Sequence, residues 1–249
     1  MQPKFTIITI TYNAAETIER TIESIVNQIY KNIEYIIIDG ASTDDTLKKI
    51  EPYKHAIAYI VSERDKGLYD AMNKGLQAAT GDYVWFINSG DEIATNTTLN
   101  DVTKLITNEL PDVIYGDTLM TSMDGEVIGG RRLTPPEKLT WKSFQMGMLV
   151  SHQAFIAKRE LANKYDISYR FSADFDWCVS ILKRSKNILN THMVLARFLD
   201  GGITKQNIAA GLRERFRIMV RYYGLMPTIA HHIPIAVKFF FYLFINKRY

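Results

Sequence analysis

The stretch EYIIIDGASTDDT, at residues 34–46, is an almost continuous apolar run that ends abruptly in Asp39 and Gly40. A similar run, FTIITIT, occupies residues 5–11. Runs rich in isoleucine are typical of strands that are buried on both faces, as in a parallel sheet. Because this strand stops so sharply on a carboxylate, we expect Asp39 to be presented to a ligand or to the segment that follows.

The region between these strands has the spacing of a helix, with apolar residues at Ile18, Ile22, Ile25, Val26 and Ile29. Asn13, followed three residues later by Glu16, predicts a capping-box start for it. A second helix is predicted over 68–79, ended by Gly81, and further strands at 57–63, 83–88 and 112–117. This alternation predicts an α/β domain with a parallel, doubly wound sheet.

Polar residues follow four of the predicted strands, as TYN (11–13), DGAS (39–42), SERD (62–65) and NSGD (88–91). In doubly wound sheets, ligands bind beyond the carboxyl ends of the strands. These segments therefore predict a binding site along one edge. The glycines of a dinucleotide fingerprint and of a P-loop are both missing, which disfavours a dehydrogenase and predicts that side chains hold the ligand.

Three side chains at this edge have a specific chemical use. Tyr12 could stack on a planar base, and Asp39 could accept a hydrogen bond from a base N–H such as the imide of uracil. Thymine and guanine also offer an N–H, so the base stays open. Asp91 could meet Mg²⁺ or Mn²⁺ beside a diphosphate. The structural alternatives are a packed turn aromatic for Tyr12 and helix caps for the two aspartates.

Four stretches resemble the family 2 glycosyltransferases, which have the GT-A nucleotide-sugar-binding fold. They are TIITITYNAAETIERTIESIVNQ, IEYIIIDGASTDDT, DKGLYDAMNKGLQAATGDYVWFINSGD and SADFDWCVSIL, within roughly residues 4–185. The resemblance implies a mostly parallel central sheet flanked by helices. It also implies donor-binding roles for Thr11, Tyr12, Asn13, Asp39, Asp65, Lys66, Asn73, Asn88 and Ser89. In this reading Ser42 and Asp45 fit a cap of the helix that follows Asp39.

Two departures from the family pattern concern charge. NSGD stands where the family usually has Asp-Ser-Asp-Asp, so Asp91 is the one carboxylate left to bind the metal, Mn²⁺ or Mg²⁺, together with the diphosphate and water. Met72 stands where the family often has arginine. Lys66, Lys74 or the pair Arg131 and Arg132 are candidates for the missing positive charge.

The segment SADFDW (172–177) places Asp174 where the family has its catalytic base, with Ala173 in place of a glutamate. An inverting transferase needs such a base to deprotonate the acceptor hydroxyl, while a metal stabilises the leaving diphosphate. The resemblance also implies acceptor-side roles for His152, Gln153 and Asp176. The alternatives are a hydrogen-bonded structural histidine and carboxylates that interact with the helix dipole. DGGIT (200–204) resembles a family loop near the diphosphate.

The C-terminal segment 205–249 has eight Lys and Arg residues and one acidic residue, a net charge of +7, whereas residues 1–204 carry −4. Its longest nearly apolar run, 233–245, is interrupted by Lys238 and is shorter than the roughly 20 residues that cross a bilayer. We predict an interfacial helix on an anionic membrane surface, with Phe239, Phe240, Phe241, Tyr242 and Phe244 at the headgroups. Packing on the domain or in a homo-oligomer interface is the alternative.

These observations predict a GT-A domain over 1–204, with a nucleotide-binding half at about 1–117 and an acceptor-side half at about 118–204. A basic, aromatic helical segment follows at 205–249. The single cysteine, Cys178, excludes an internal disulfide and suits a reducing compartment. The N-terminus lacks a secretory signature. We therefore expect a cytoplasmic protein, peripheral on the inner face of the membrane.

The predicted function is inverting transfer of a hexosyl or N-acetylhexosaminyl group from a nucleoside-diphosphate sugar, with UDP favoured. The acceptor would be a polysaccharide or a lipid-linked oligosaccharide. The expected partners are the donor, the acceptor and the membrane surface, without nucleic acid. The reduced metal motif leaves one alternative from another class: a catalytically weak nucleotide-sugar-binding or membrane-docked assembly protein.

Overall fold

The computed structural model describes residues 2–201 and 207–233 of the chain. The first half comprises β1 (Phe5–Thr11), α1 (Ile18–Val26), β2 (Ile33–Asp39), α2 (Thr46–Ile50), β3 (Tyr59–Ser62), α3 (Leu68–Ala78) and β4 (Tyr83–Phe86). The second half comprises β5 (Glu92–Ile93), α4 (Thr98–Leu105), β6 (Val113–Thr121), β7 (Val127–Gly130), β8 (Phe155–Lys158), α5 (Ala173–Arg184), β9 (Ile188–Leu199) and α6 (Ile208–Tyr223). Short 3-10 turns lie at Glu51–Ala56, Trp141–Met146, His152–Ala154 and Arg159–Leu161.

All nine strands join one sheet, in the order β3-β2-β1-β4-β8-β6-β9-β5, with β7 paired to β6. The predicted parallel arrangement is confirmed for β1 to β4, and the register brings Thr11 of β1 level with Asp39 of β2 and Ser62 of β3. Beyond β4 the sheet is mixed, because β8 runs antiparallel to both of its neighbours and β6 runs parallel to β9. The carboxyl ends of the first three strands thus share one edge.

Burial explains the first two strands and the first helix. Every residue of β1 and all but the first of β2 are buried, as their isoleucine runs predict. Helix α1 packs Ile18, Ile22 and Ile25 into the same core, and each such side chain contributes about 1.5–3 kcal/mol on full burial. The helix ends before Ile29, which is 53% exposed. The predicted inclusion of Ile29 is therefore wrong.

The predicted capping box of α1 is also wrong. The residue at the N-cap is Thr17, and no side chain caps the helix. Asn13 has a left-handed backbone, with φ +47°, and its Oδ1 accepts a hydrogen bond from the Thr43 N–H instead. Asn13 therefore joins two loops and takes no part in starting the helix.

Aromatic side chains connect β4, β8 and α5. The Trp177 ring stacks on Tyr165, with centroids 5.0 Å apart, and contacts the rings of Phe86, His152 and Phe155 at 5.6–5.9 Å. Pairs of this kind add about 0.5–1.5 kcal/mol beyond area burial. This cluster fixes the start of α5, where Asp174 lies, against the sheet.

The C-terminal segment begins with α6, which packs on the domain. The Tyr223 ring stacks on Trp141, with centroids 5.2 Å apart, and the Tyr223 hydroxyl donates a hydrogen bond to the Trp141 carbonyl. The Ser172 hydroxyl donates to the Gly211 carbonyl. Residues 225–233 are helical as well. No helix in the described ranges is long and apolar enough to cross a membrane. Most of DGGIT and the predicted aromatic tail lie outside the described residues.

Candidate active site

The loops after β1 and β2 shape a site around Gly40. Tyr12 is 62% exposed, whereas Asp39 is completely buried. A Cβ added at Gly40 would lie 3.1 Å from Asp65 Oδ2 and 3.3 Å from Tyr12 Cδ2. The missing side chain therefore lets the tyrosine ring and the Asp65 carboxylate stand close together. An exposed ring beside two carboxylates suits a planar group with N–H donors.

Three donors hold the Asp39 carboxylate. Its Oδ2 accepts from the Ser42 N–H at 2.9 Å and the Ser62 hydroxyl at 2.6 Å, and its Oδ1 accepts from the Ser42 hydroxyl. A carboxylate has about four acceptor positions, so one remains for a ligand. Asp45 occupies the N-cap position of α2, as predicted, but no described side chain caps the helix from Ser42 or Asp45, and the Thr46 N–H donates to Asp44.

Asn13 keeps the two loops in register. Its N–H donates to Ser42 Oγ at 2.8 Å, while its Oδ1 accepts from the Thr43 N–H at 2.9 Å. The segment that carries Tyr12 is thus tied to the segment that orients Asp39. Asn13 belongs to the predicted donor set, and in the structure it is exposed and hydrogen-bonded to the loop after β2.

Two buried acceptor atoms at this edge have no partner. Thr11 Oγ1 and Asn88 Oδ1 form no hydrogen bond with any residue in the described ranges. An unpaired buried polar group costs about 1–3 kcal/mol, and native proteins tolerate few of them. Ser89, in the same segment as Asn88, is anchored to β1 by its N–H bond to the Ile10 carbonyl. These unpaired atoms are available to form hydrogen bonds with a polar ligand.

The other predicted donor residues differ in how available they are. Lys66 is exposed, and Asp65 forms an ion pair with Lys74 Nζ at 2.6 Å. Lys74 also pairs with Glu63, so its charge is compensated. Both ends of the Asn73 amide pair with the backbone of Tyr165, at 2.7 and 3.0 Å. Asn73 therefore positions the Tyr165 segment.

Asp91 lies inside the protein. Its Oδ2 accepts from Gln153 Nε2 at 2.9 Å, and its Oδ1 accepts from the Leu199 N–H at 3.1 Å. Burial raises the pKa of Asp91 to about 7, and these hydrogen bonds only partly oppose the rise. Gly90 has a φ of +95°, and a Cβ there would lie 2.7 Å from Leu199 Cδ2. The turn at Gly90 therefore packs closely against the end of β9.

The residues present do not fit a divalent ion held by the protein. An ion held by the protein alone needs several oxygen ligands, whereas Mg²⁺ usually binds through one or two carboxylates together with substrate phosphates and water. In the ranges 2–201 and 207–233, no three His, Cys, Asp or Glu side chains group as a metal site. Asp91 is the single carboxylate of its motif and each of its oxygens accepts an N–H, so an ion there would have one acidic protein ligand only.

Asp174 lies in the first turn of α5, and one of its two carboxylate oxygens accepts hydrogen bonds. Its Oδ1 accepts from the Tyr69 hydroxyl at 3.1 Å and from the Phe175 N–H at 2.8 Å. No hydrogen bond within the described part of the chain involves its Oδ2. Burial raises the pKa of Tyr69 well above its usual value of 10, so Tyr69 remains protonated and donates. Sequence reasoning missed Tyr69, which looks like a core residue of α3.

His152 forms part of the wall beside this carboxylate. Its Nε2 lies 2.7 Å from the Tyr165 hydroxyl, and the Tyr165 ring stacks on Tyr69 at 5.6 Å. Burial lowers the pKa of His152 to about 4, so the ring is neutral at pH 7. The hydrogen-bonded alternative describes the position of His152 better than direct contact with an acceptor.

Asp176 and Gln153 also interact with other parts of the protein. Asp176 faces α6, where Arg221 Nη1 lies 3.7 Å from its Oδ1, and burial raises the pKa of Asp176. Gln153 reaches Asp91, and its Oε1 accepts from Ser151 at 2.5 Å. Each of the three predicted acceptor-side residues thus has a partner within the protein.

Two arginines supply positive charge near Asp174. The Arg131 guanidinium donates to the Met148 carbonyl at 3.0 Å, and its burial lowers its pKa, with the charges of Asp117, Arg215 and Asp174 also acting on it. Arg215, on α6, has a buried Nε without a hydrogen-bond partner in the described ranges. Arg131 was among the predicted candidates, whereas Arg215 was missed because α6 is distant in sequence.

The family model for glycosyl transferase family 2 matches residues 6–166, and the chain belongs to this family. It is 32% identical over 178 residues to the uncharacterized glycosyltransferase Rv1514c of Mycobacterium tuberculosis, a match of 69% of this chain and 66% of that relative. It is also 29% identical over 245 residues to the Escherichia coli UDP-Glc:alpha-D-GlcNAc-diphosphoundecaprenol beta-1,3-glucosyltransferase WfaP, covering 96% of this chain and 92% of WfaP. The chain is therefore a glycosyltransferase.

Solved structures agree on the fold. Staphylococcus aureus TarS 1-349, in complex with UDP-GlcNAc, superposes with a TM-score of 0.68 at 19% identity, covering 93% of this chain and 73% of that one. The mannosyltransferase PcManGT from Pyrobaculum calidifontis, in complex with GDP-Man and Mn²⁺, gives 0.65 at 18% identity, covering 95% and 76%. The predicted GT-A fold is confirmed, and enzymes with this fold commonly use divalent metals.

Proposed function

We propose that the chain transfers a sugar from UDP to a lipid-linked or polymeric glycan, with inversion at the anomeric carbon. The observation that carries this proposal is one edge of the sheet. The strand ends there carry the exposed Tyr12, the buried carboxylate of Asp39 and two unpaired polar atoms. Asp174 lies in the first turn of α5, with hydrogen bonds to one of its two carboxylate oxygens.

The donor would bind with its base against Tyr12. Stacking of a base on an aromatic ring contributes about 1–3 kcal/mol. The fourth acceptor position of Asp39 would take the imide N–H of uracil, and Thr11 Oγ1 would find a polar partner on the nucleotide. UDP is supported by the donor in the name of WfaP and by the UDP-GlcNAc complex of TarS.

The transfer step would use Asp174 as the base. Its Oδ2 would take the proton of the acceptor hydroxyl while that oxygen attacks the anomeric carbon and the nucleoside diphosphate leaves. Arg131 and Arg215 would offset the negative charge of the diphosphate. No step is assigned to the predicted Mn²⁺ or Mg²⁺, because the described residues hold no acidic cluster for such an ion.

The acceptor side of the proposal rests on the C-terminal helix. Leu225, Met226, Ile229 and Ile233 are all exposed, and Met226 is 76% exposed. They occupy one side of the helix over 225–233, and basic residues of α6 precede them. We infer that this surface meets a membrane that carries the lipid-linked acceptor, as the diphosphoundecaprenol substrate of WfaP suggests. Binding to vesicles with and without anionic lipid, in wild type and Met226→Glu, tests this point.

The test of function is thermal stabilisation by UDP, GDP and dTDP, each with and without Mn²⁺. A second measurement follows release of UDP from UDP-glucose and UDP-GlcNAc when a GlcNAc-diphospho-lipid is added. We expect UDP to stabilise the wild type selectively. Tyr12→Ala should weaken the affinity for UDP about tenfold or more. Release of UDP should depend on the acceptor.

Tyr59→Ala is the matched control, since Tyr59 is exposed at the opposite end of β3. It should leave UDP affinity unchanged. Equal losses in both variants, or no stabilisation by any nucleotide, would contradict the donor site. Selective stabilisation by GDP would keep the site and change the base.

A further inference from the structure

Asp91 joins three segments that are far apart in sequence. It follows β4, and its two oxygens bind Gln153, in the turn before β8, and Leu199, the last residue of β9. Gln153 extends the chain of bonds, because its Oε1 accepts from Ser151 and its carbonyl accepts from Trp85 Nε1. We call the bonds between Asp91, Gln153 and Leu199 the buried strap.

We propose that Asp91 is a positioning residue that holds the donor-side turn, the 151–153 turn and the end of β9 together through this strap, and is not a metal ligand. The inference rests on the proposed function, because what the strap positions is the transfer site. Each carboxylate oxygen has an N–H donor, and no Lys or Arg in the described ranges forms an ion pair with Asp91.

The two roles need different chemistry at residue 91. If Asp91 were the one acidic ligand of a divalent cation, its negative charge would carry the binding, so an amide would replace it poorly. A strap needs only acceptor and donor positions in the right places. In Asp91→Asn, Oδ1 still accepts from Leu199. The new amide N–H donates to Gln153 Oε1 once the Gln153 amide turns over. Gln153 Nε2 then donates to the Ser151 hydroxyl, which can accept. Every bond is retained.

The experiment compares Asp91→Asn with Asp91→Ala. We expect Asp91→Asn to keep the wild-type Tm or raise it, and to transfer sugar within about threefold of the wild-type rate. Asp91→Ala leaves the Gln153 and Leu199 donors buried without partners. Its Tm should fall by about 5–15 °C, and its rate by about 10- to 100-fold because the segments shift. Gln153→Leu, which removes no carboxylate, should lose rate in the same way.

A readout other than activity completes the test. Mn²⁺ should change the Tm of the UDP-bound wild type and of UDP-bound Asp91→Asn by the same amount at each Mn²⁺ concentration. Glu92→Gln is the matched control, because Glu92 is the neighbouring carboxylate, faces Arg20 at 3.5 Å and is outside the strap. It controls for the loss of one negative charge near the turn.

Opposite results would overturn the proposal. These are an Asp91→Asn protein that keeps its Tm but loses rate and Mn²⁺ response as Asp91→Ala does, or one that fails to fold. If the wild type binds no nucleotide and transfers no sugar, the proposed function fails, yet the Tm values of the two variants still report whether the strap exists. The two failures are therefore distinguishable.

Discussion

The two ends of the parallel strands treat buried carboxylates in opposite ways. At the amino end, Glu34 accepts hydrogen bonds from Thr6 and Thr80 and forms an ion pair with Lys4 at 2.9 Å. At the carboxyl end, Asp91 has two uncharged donors. Thr11 and Asn88 nearby leave buried oxygens unpaired.

The pKa values follow this difference. Burial would raise the pKa of Glu34, but hydrogen bonds from Thr6, Thr80 and Lys4 outweigh it and lower the pKa to about 2. Burial prevails at Asp91 and raises its pKa to about 7. The buried Glu34 is thus fully partnered, whereas Thr11 and Asn88, where a ligand is expected, keep unpaired oxygens, as is common at functional sites. Glu34→Ala should therefore act mainly on stability and Asp174→Asn mainly on activity.

The largest effect is expected at the carboxyl end. Asp174→Asn should lower the transfer rate by about 10²–10⁴-fold, because the amide cannot take the acceptor proton. UDP affinity and the free energy of unfolding should stay near wild type. Asp176→Asn, two residues along the same helix, is the control and should keep most of the rate. Equal losses in the two variants would show that the base is elsewhere.

The next effect belongs to the amino end. Glu34→Ala should lower the free energy of unfolding by about 2–4 kcal/mol, since the donors of Thr6 and Thr80 lose a buried acceptor. Urea unfolding measures it. Glu51→Ala breaks only the exposed pair with Lys54 and should change stability by less than about 0.5 kcal/mol. A Glu34→Ala enzyme with wild-type stability, or with reduced activity per folded molecule, would break the comparison.

A smaller effect is expected at Tyr69. Tyr69→Phe removes the hydroxyl that orients Asp174, so kcat should fall about tenfold with little change in KM. Tyr35→Phe is the matched control, since the buried Tyr35 hydroxyl is hydrogen-bonded to Thr9 away from the site. A Tyr69→Phe enzyme with the wild-type kcat would assign Tyr69 a packing role only.

The smallest expected effect is on how the free energy of unfolding depends on pH. Between its ordinary value of 3.8 and about 7, folded Asp91 keeps a proton that the unfolded chain has lost, so stability should fall as pH rises through this window. Glu34 contributes stability above its ordinary 4.5 that is lost as pH falls towards 2. Each group changes the free energy of unfolding by at most about 1.4 kcal/mol per pH unit. Asp91→Asn should flatten the upper window and Glu34→Gln the lower one, in urea unfolding across pH.

The sequence predicts the parallel strands well, because each carries its own signal. The apolar runs of β1 and β2 and the helical spacing between them are local patterns. The place of β8 between β4 and β6 depends on pairing across about 70 residues, which no local pattern contains. The mixed half of the sheet therefore could not be predicted in detail.

The candidate site divides in the same way. Tyr12, Asp39 and Asp174 follow strand ends or begin a helix, so their placement could be predicted. The contacts of Asp91 and His152 could not, because Leu199 and Tyr165 approach them only in the folded chain. A buried polar residue shows its type in the sequence but not its partner, and the partner decides whether it binds a ligand or supports one that does.

The stack of Tyr223 on Trp141 has a practical consequence for cutting the chain. A fragment that ends at residue 204 loses α6, and with it the cover of the Trp141 ring and the Arg221 partner of Asp176. A fragment that ends at Gly224 keeps both and removes the exposed apolar residues of 225–233. The shortest form suited to crystallisation should therefore end near residue 224, twenty residues beyond the boundary that charge distribution alone would select.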